Sequence, residues 1–316
     1  MICVRNGWFV VALAFGFSAP VVADARPVAK KLPAPAASGD DLSLLPVDSE
    51  FVGGLDVGQL QQSFLWKQYV EPLLTTDVQK QMTEFKNLCG VDPMKVVTRI
   101  SFGLKGLTTG APDGVIVAHG VPKAKLVACF AQISKDKKLG DEVTVDGDVL
   151  ISNSKDGRPV AFTFVNDSTA LIVVGSSATK AGVRTTAKGG TALRTSAAFV
   201  DLYKKTKITD TLWILMNGNS KAFDALSQMG VKPKAVFGSI NVVQDLQLDM
   251  RMRLDSADVA KLLAIQAQGP VTQAAAMFDQ LAVASDGADV RVTLALSDAK
   301  LKALVAQFAP TLGGKP

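Results

Sequence analysis

Two stretches near the C-terminus alternate without interruption. Leu246, Leu248, Met250, Met252 and Leu254 are apolar, and Gln247, Asp249, Arg251, Arg253 and Asp255 between them are polar or charged. Val290, Val292, Leu294 and Leu296 repeat the pattern against Arg291, Thr293, Ala295 and Ser297. Side chains of a strand point to opposite faces with a period of two, so each stretch reads as a strand with one face on a core and one in water. A doubly wound parallel sheet needs runs apolar at every position; alternation marks an antiparallel sheet covered on one side. The expected fold class is α+β, a mainly antiparallel sheet with helices packed on one face.

Turn residues divide the rest of the chain. Phe51–Val57 is a strand candidate, and Gln59–Asn87 reads as two helices parted by Pro72. Cys89-Gly90-Val91-Asp92-Pro93 stops the second helix. Strands follow at Val96–Leu104 and Val115–His119, then a helix over Pro122–Ile133 with proline in its first turn. Strands at Val143–Ser152, Val160–Val165 and Ala170–Gly175 are separated by Asp-Gly and Asn-Asp turns, and Ser176 or Ser177 caps a short helix. The second half runs the same programme: helix Phe199–Lys205, strand Thr211–Met216, helix Ser220–Met229, a hairpin of Ala235–Val243 with Leu246–Leu254, helix Ser256–Met277 split at Gly269-Pro270, a hairpin of Leu281–Ser285 with Val290–Leu296, and a last helix to Phe308. Strand–helix–hairpin–helix–hairpin–helix describes both halves, the first with an additional strand. The expectation is a duplicated α+β unit, residues 45–190 and 191–312, with 313–316 as a tail.

Residues 1–25 read as a cleavable export signal. Arg5 supplies a positive start, Trp8–Phe17 is apolar, Pro20 breaks the helix, and Ala23-Asp24-Ala25 fits a signal-peptidase site. The apolar run is too short to span a bilayer comfortably. Residues 26–44 are rich in proline, alanine and charge and read as a disordered linker. The mature chain is thus expected in the periplasm or outside a bacterial cell, with no transmembrane segment. It keeps two cysteines, Cys89 and Cys129. In an oxidising compartment they pair, closing a loop of about 40 residues that contributes roughly 4 kcal/mol, or they remain two buried thiols.

Lys and Arg exceed Asp and Glu by 34 to 29, and this net +5 is spread over 316 residues. A nucleic-acid binder concentrates such an excess in a patch interleaved with aromatics; the densest cluster here, Lys204, Lys205 and Lys207, is an ordinary helix end, so no nucleic-acid partner is expected. Hydrophobic residues make up 48% of the chain and aromatics only 6%, which implies a large aliphatic core.

Leu45-Pro46, Asp48, the strand end Leu55-Asp56-Val57 with Leu60, and the turn Gly90-Val91-Asp92-Pro93 resemble a repeat of uncharacterised exported bacterial proteins. In these an LP-x-D opening leads through a strand and helices to a G-[IV]-D-P turn. The resemblance covers the first 60 or so mature residues. It implies bacterial export and no known activity, so it adds no site.

Candidate chemistry is sparse. His119 is the sole histidine, at a strand end before Gly120, where active-site residues and ordinary turn residues both occur. Ser177-Ala178-Thr179-Lys180 matches S-x-x-K, but neither S-D-N nor K-T-G accompanies it. Asp146-Gly147-Asp148 and Asp286-Gly287-Ala288-Asp289 lack the ligands of a calcium loop and read as hairpin turns. Trp66, with Phe64, Leu65, Tyr69 and Val70, forms an aromatic ridge at helical spacing, for a core or a partner surface. No catalytic residue, cofactor-binding residue or metal ligand is assigned. The expected role is a non-enzymatic envelope or periplasmic protein that binds or scaffolds, through its sheet or the groove between its halves. Its partner would be another envelope protein. The alternatives are a hydrolase with a site assembled from distant residues and a carrier of a hydrophobic ligand.

Overall fold

The computed structural model describes residues 41–308 except 75, 108–111, 136–142, 154–158, 190–191, 219 and 229. The expected signal peptide of residues 1–25, the expected linker up to residue 40 and the expected tail 313–316 lie outside the described residues. The first half contains β1 (Phe51–Asp56), α1 (Val57–Gln62), α2 (Thr76–Cys89), α3 (Pro93–Val96), β2 (Arg99–Lys105) and β3 (Asp113–His119). It continues with α4 (Lys123–Lys135), β4 (Val143–Asp146), β5 (Val149–Asn153), β6 (Pro159–Asn166), β7 (Thr169–Val174) and α5 (Lys180–Ala187). The second half opens with α6 (Ala197–Lys205), β8 (Leu212–Asn217), α7 (Asp224–Gln228), β9 (Ala235–Asn241) and β10 (Leu246–Arg253). It closes with α8 (Ala257–Ala274), β11 (Gln280–Asp286), β12 (Asp289–Leu296) and α9 (Asp298–Phe308).

The strands of the described residues join in one 12-stranded sheet, in the order β11-β12-β10-β9-β8-β1-β2-β3-β7-β6-β5-β4. Every pairing is antiparallel, including the central β1–β8 seam where the halves meet. Outward from that seam, β1-β2-β3-β7-β6 on one side matches β8-β9-β10-β12-β11 on the other in strand order.

Several boundaries differ from expectation. Val143–Ser152 is not one strand but the hairpin β4–β5, because Gly147 takes φ +64 and turns the chain at Asp146-Gly147. The first half therefore carries two additional strands. Helix α8 runs through Pro270 instead of splitting there; Gly269 and Pro270 are both exposed, so water can serve the carbonyl that proline leaves without a donor. Thr179 caps α5, accepting from Gly182 N at 3.0 Å, where Ser176 or Ser177 was expected. Strand β2 starts only at Arg99, since Asp92-Pro93 opens the short α3 first.

Residues 41–44, expected in the linker, belong to the fold instead. Asp41–Ser43 forms a helical turn, and Asp41 and Leu42 are buried. Leu45 is fully buried, and its carbonyl accepts from Leu193 N at 2.9 Å.

Trp213 and Ile214 point to opposite faces of the sheet and serve to name them. On the Trp213 face, Leu42, Leu45, Val183 of α5, Leu193, and Phe199, Leu202 and Tyr203 of α6 pack on Val52, Val117, Leu171, Trp213, Leu215 and Phe237. On the Ile214 face, Cys89 of α2 and Leu126, Cys129, Phe130 and Ile133 of α4 pack on Phe162, Ile172 and Val174. A third cluster sets Ala260 and Ala264 of α8 against Val290 on this same face. The antiparallel α+β fold stands, but helices cover both faces, not one. The reason is local: Thr169–Val174 reads TALIVV, and all six residues of β7 are buried. A strand apolar at successive positions needs cover on both sides.

Candidate functional site

One register row on the Ile214 face crosses eleven strands. From Leu150 it passes through Phe162, Ile172, Ile116, Phe102, Gly53, Ile214, Gly238, Met250 and Val292 to Val283. Every residue in it is apolar or glycine. Sequence dictates this directly: each strand places its apolar alternate on this side.

Burial changes along the row. Phe162 and Ile172, under α2 and α4, are buried. Toward the seam, Phe102, Ile214, Met250 and Val292 are only half-buried. The adjoining rows behave alike: Phe51, Leu55, Ile100, Leu104, Leu212, Met216, Val236, Ile240, Leu248 and Leu294 are all half-buried. None of these central side chains belongs to the three packed clusters. Phe51 and Phe102 meet with their rings tilted, 5.3 Å between centroids. The result is a broad aliphatic and aromatic tract astride the β1–β8 seam, between the helices of the first half and α8 of the second. These side chains are partly open to water, each less so than the exposed Leu262 and Ile265 of α8; a contiguous tract of partly open apolar side chains is surface that a partner can cover.

His119 is elsewhere, at the end of β3 on the Trp213 face. Its Nε2 lies 2.9 Å from Oδ2 and 3.0 Å from Oδ1 of Asp41. Ser101 Oγ donates to Asp41 Oδ2 at 2.6 Å, and Thr169 Oγ1 stands 3.3 Å from His119 Nδ1. Both ring nitrogens are thus committed, one to a carboxylate and one to a hydroxyl. Ser101 hydrogen-bonds the aspartate and not the imidazole, so the set lacks the serine-to-base contact of a hydrolytic triad. It fastens the helical turn Asp41–Ser43 to β2, β3 and β7.

Cys89 and Cys129 form a disulfide across 40 residues, with Cα atoms 5.0 Å apart. It joins the last residue of α2 to the middle of α4 inside the Ile214-face core, resolving the alternative of two free thiols. Trp66 lies in a five-residue π-helical turn, Trp66–Val70, and is half-buried along with Phe64, Leu65 and Val70. The ammonium of Lys302 from α9 sits 4.6 Å from the Phe64 ring centroid. This aromatic segment thereby links the two halves.

The Trp213 face of the second half is charged. Arg291 grips Asp249 with both nitrogens, Nε to Oδ1 at 2.8 Å and Nη2 to Oδ2 at 2.7 Å. Lys207 reaches the same carboxylate at 3.6 Å and Arg251 at 4.0 Å. The Arg291 fork, with Lys207 and Arg251 behind it, holds the Asp249 carboxyl below the usual aspartate range. Arg253 binds the fully buried Asp289 in the same two-pronged way, and that contact raises the guanidinium further. Arg251 bonds Asp286 at 2.6 Å. The polar alternates of β10 and β12 carry opposite charges at paired or diagonal positions, which is the signal for this ladder in the sequence.

Asp41, Ser101 and Thr169 were not foreseen as partners of His119, since they are remote in sequence and Asp41 read as linker. No group of three His, Cys, Asp or Glu is placed to hold a metal among the described residues. No helix among them is long and apolar enough to cross a membrane. Comparison with protein-family models, curated proteins and solved structures finds no match.

Proposed function

We propose that this chain is an exported, non-enzymatic binding protein whose working surface is the apolar Ile214 face across the β1–β8 seam. The observation that carries this reading is the run of half-buried side chains, from Phe102 through Ile214 to Met250, continuous in register yet outside every packed cluster. Such a tract costs solubility unless something apolar covers it. The matching strand order on the two sides of the seam supports an origin by internal duplication, with the binding tract formed where the copies abut. The Cys89–Cys129 disulfide supports maturation in an oxidising compartment, as an export signal over residues 1–25 would provide. The occupant is the apolar segment of an envelope protein. Carriage of a hydrophobic small molecule uses the same tract.

The test compares the mature protein with an Ile214→Glu variant. The naphthalene dye ANS should bind the wild type, and an envelope extract should yield a captured protein; the charge at the centre of the tract should abolish both. Native mass spectrometry separates the two occupants, since a carrier retains a lipid-sized adduct. Absence of dye binding, together with a monomer that captures nothing, sinks the reading.

A further inference from the structure

The other face of the second half carries a cleft of about 470 Å³ that the proposed function does not use. Its floor is β10, β12 and β11. Gln247, Ala295 and Gln280 lie side by side across these strands, in one register row. Two strand spacings set the glutamines about 10 Å apart, with only an alanine methyl between them. The next row presents Asp249 and Thr293, and Arg291 closes that end. The wall toward α6 comes from Lys207 and Asp210.

The hydrogen-bonding inventory of this trough is unspent. Gln247 and Gln280 are exposed, and neither amide has a partner among the described residues; the Thr293 hydroxyl has none either. Asp249 is immobilised by Arg291, yet each oxygen accepts only one of the two guanidinium bonds and keeps a lone pair. Asp210 is likewise fixed, by Ser239 at 2.6 Å and Asn241 at 3.3 Å. The trough therefore offers rigid acceptors and free amide donors interleaved around a small apolar floor.

We propose that this cleft binds a saccharide, one pyranose ring lying over Ala295 between Gln247 and Gln280. A pyranose has an apolar C–H face and a girdle of hydroxyls, each both donor and acceptor. That matches an alanine floor ringed by amides and fixed carboxylates. A free anion is disfavoured, because Asp210, Asp245, Asp249 and Asp279 outnumber Lys207 and Arg291 in the lining. An apolar ligand would leave the glutamines desolvated without partners. The proposal is independent of the Ile214-face reading, which uses the opposite side of the sheet.

Saturation-transfer NMR on the mature protein, with glucose, N-acetylglucosamine and maltose each at millimolar concentration, provides the test. Transfer to at least one sugar is expected. Gln247→Ala and Gln280→Ala, both exposed and compatible with the fold, should each weaken binding about fivefold, the weight of one hydrogen bond; the double variant should abolish it. Ile214→Glu should leave sugar binding unchanged, so failure here and failure of the apolar tract are distinguishable. Absence of transfer from all three sugars overturns the proposal, as does undiminished binding by the double variant. Transfer to the polyamine spermidine and to none of the sugars would also overturn it, by assigning the cleft to organic cations.

Discussion

Gly54 and Trp213 are register partners across the β1–β8 seam, and the indole lies over the glycine. A Cβ at Gly54 would run into the indole ring, which is itself only 6% exposed and cannot swing aside. Tyr203 closes the other side, edge-on at 5.2 Å. Gly54→Ala should therefore destabilise the protein by about 1–3 kcal/mol, the usual cost of overpacking a core. Chemical denaturation followed by tryptophan emission checks this, and a red shift of the native spectrum should accompany the loss.

The buried Asp41 serves two donors at once, Ser101 Oγ and His119 Nε2. Asp41→Ala leaves both without their acceptor, and should cost about 2–4 kcal/mol. Asp41→Asn, which preserves an acceptor for Ser101, should cost less. Hydrogen exchange should show residues 41–49 losing protection before the strands. Equal stability of wild type and Asp41→Ala in urea would refute the role assigned to this anchor.

Reduction of Cys89–Cys129 should lower the unfolding free energy by roughly 4 kcal/mol in the chain-entropy account. The bond lies between two helices, so the reduced protein should keep its sheet while α2 loosens from α4. Denaturation with and without dithiothreitol measures the first effect. Thiol labelling of the denatured, unreduced protein should find neither Cys89 nor Cys129 reactive.

Acid should act first on the charged end of the sheet. Asp249 titrates below its unfolded value because Arg291 holds its ionised form. The stabilisation is thus complete above the ordinary aspartate value of about 3.9 and is lost as pH falls through the lower, folded-state value. Asp279, lowered by the Ser297 backbone N–H and hydroxyl, works in the same direction. Amide exchange at decreasing pH should reveal β10, β12 and β11 opening below pH 4, ahead of β3 and β7. Asp249→Asn should remove most of that pH dependence.

Period-two patterning made β10 and β12 legible, and with them the antiparallel sheet. Turn chemistry located most of the remaining strands within a few residues. What escaped depends on distance along the chain. Asp41 stands among prolines and small residues, and nothing local says that Ser101 and His119 will meet it. The cover on both faces was written in TALIVV of β7, yet a short apolar run alone does not tell a strand buried on two sides from a piece of helix. The candidate site was less legible than the fold. An apolar alternate predicts which face a side chain takes, whereas its partial exposure at Ile214 or Phe102 depends on where helices of other segments stop.

Pairing of β1 with β8 has a bearing on how the polypeptide is made. Phe51 and Met216 are neighbours in the finished ladder, though 165 positions apart in the sequence. Until β8 arrives, the margin of β1 is a row of unpaired amides and carbonyls in the middle of an apolar sheet, a template for joining other chains. A nascent first half therefore needs a holding chaperone until β8 is made, and truncation before Leu212 should give aggregates instead of a smaller stable domain.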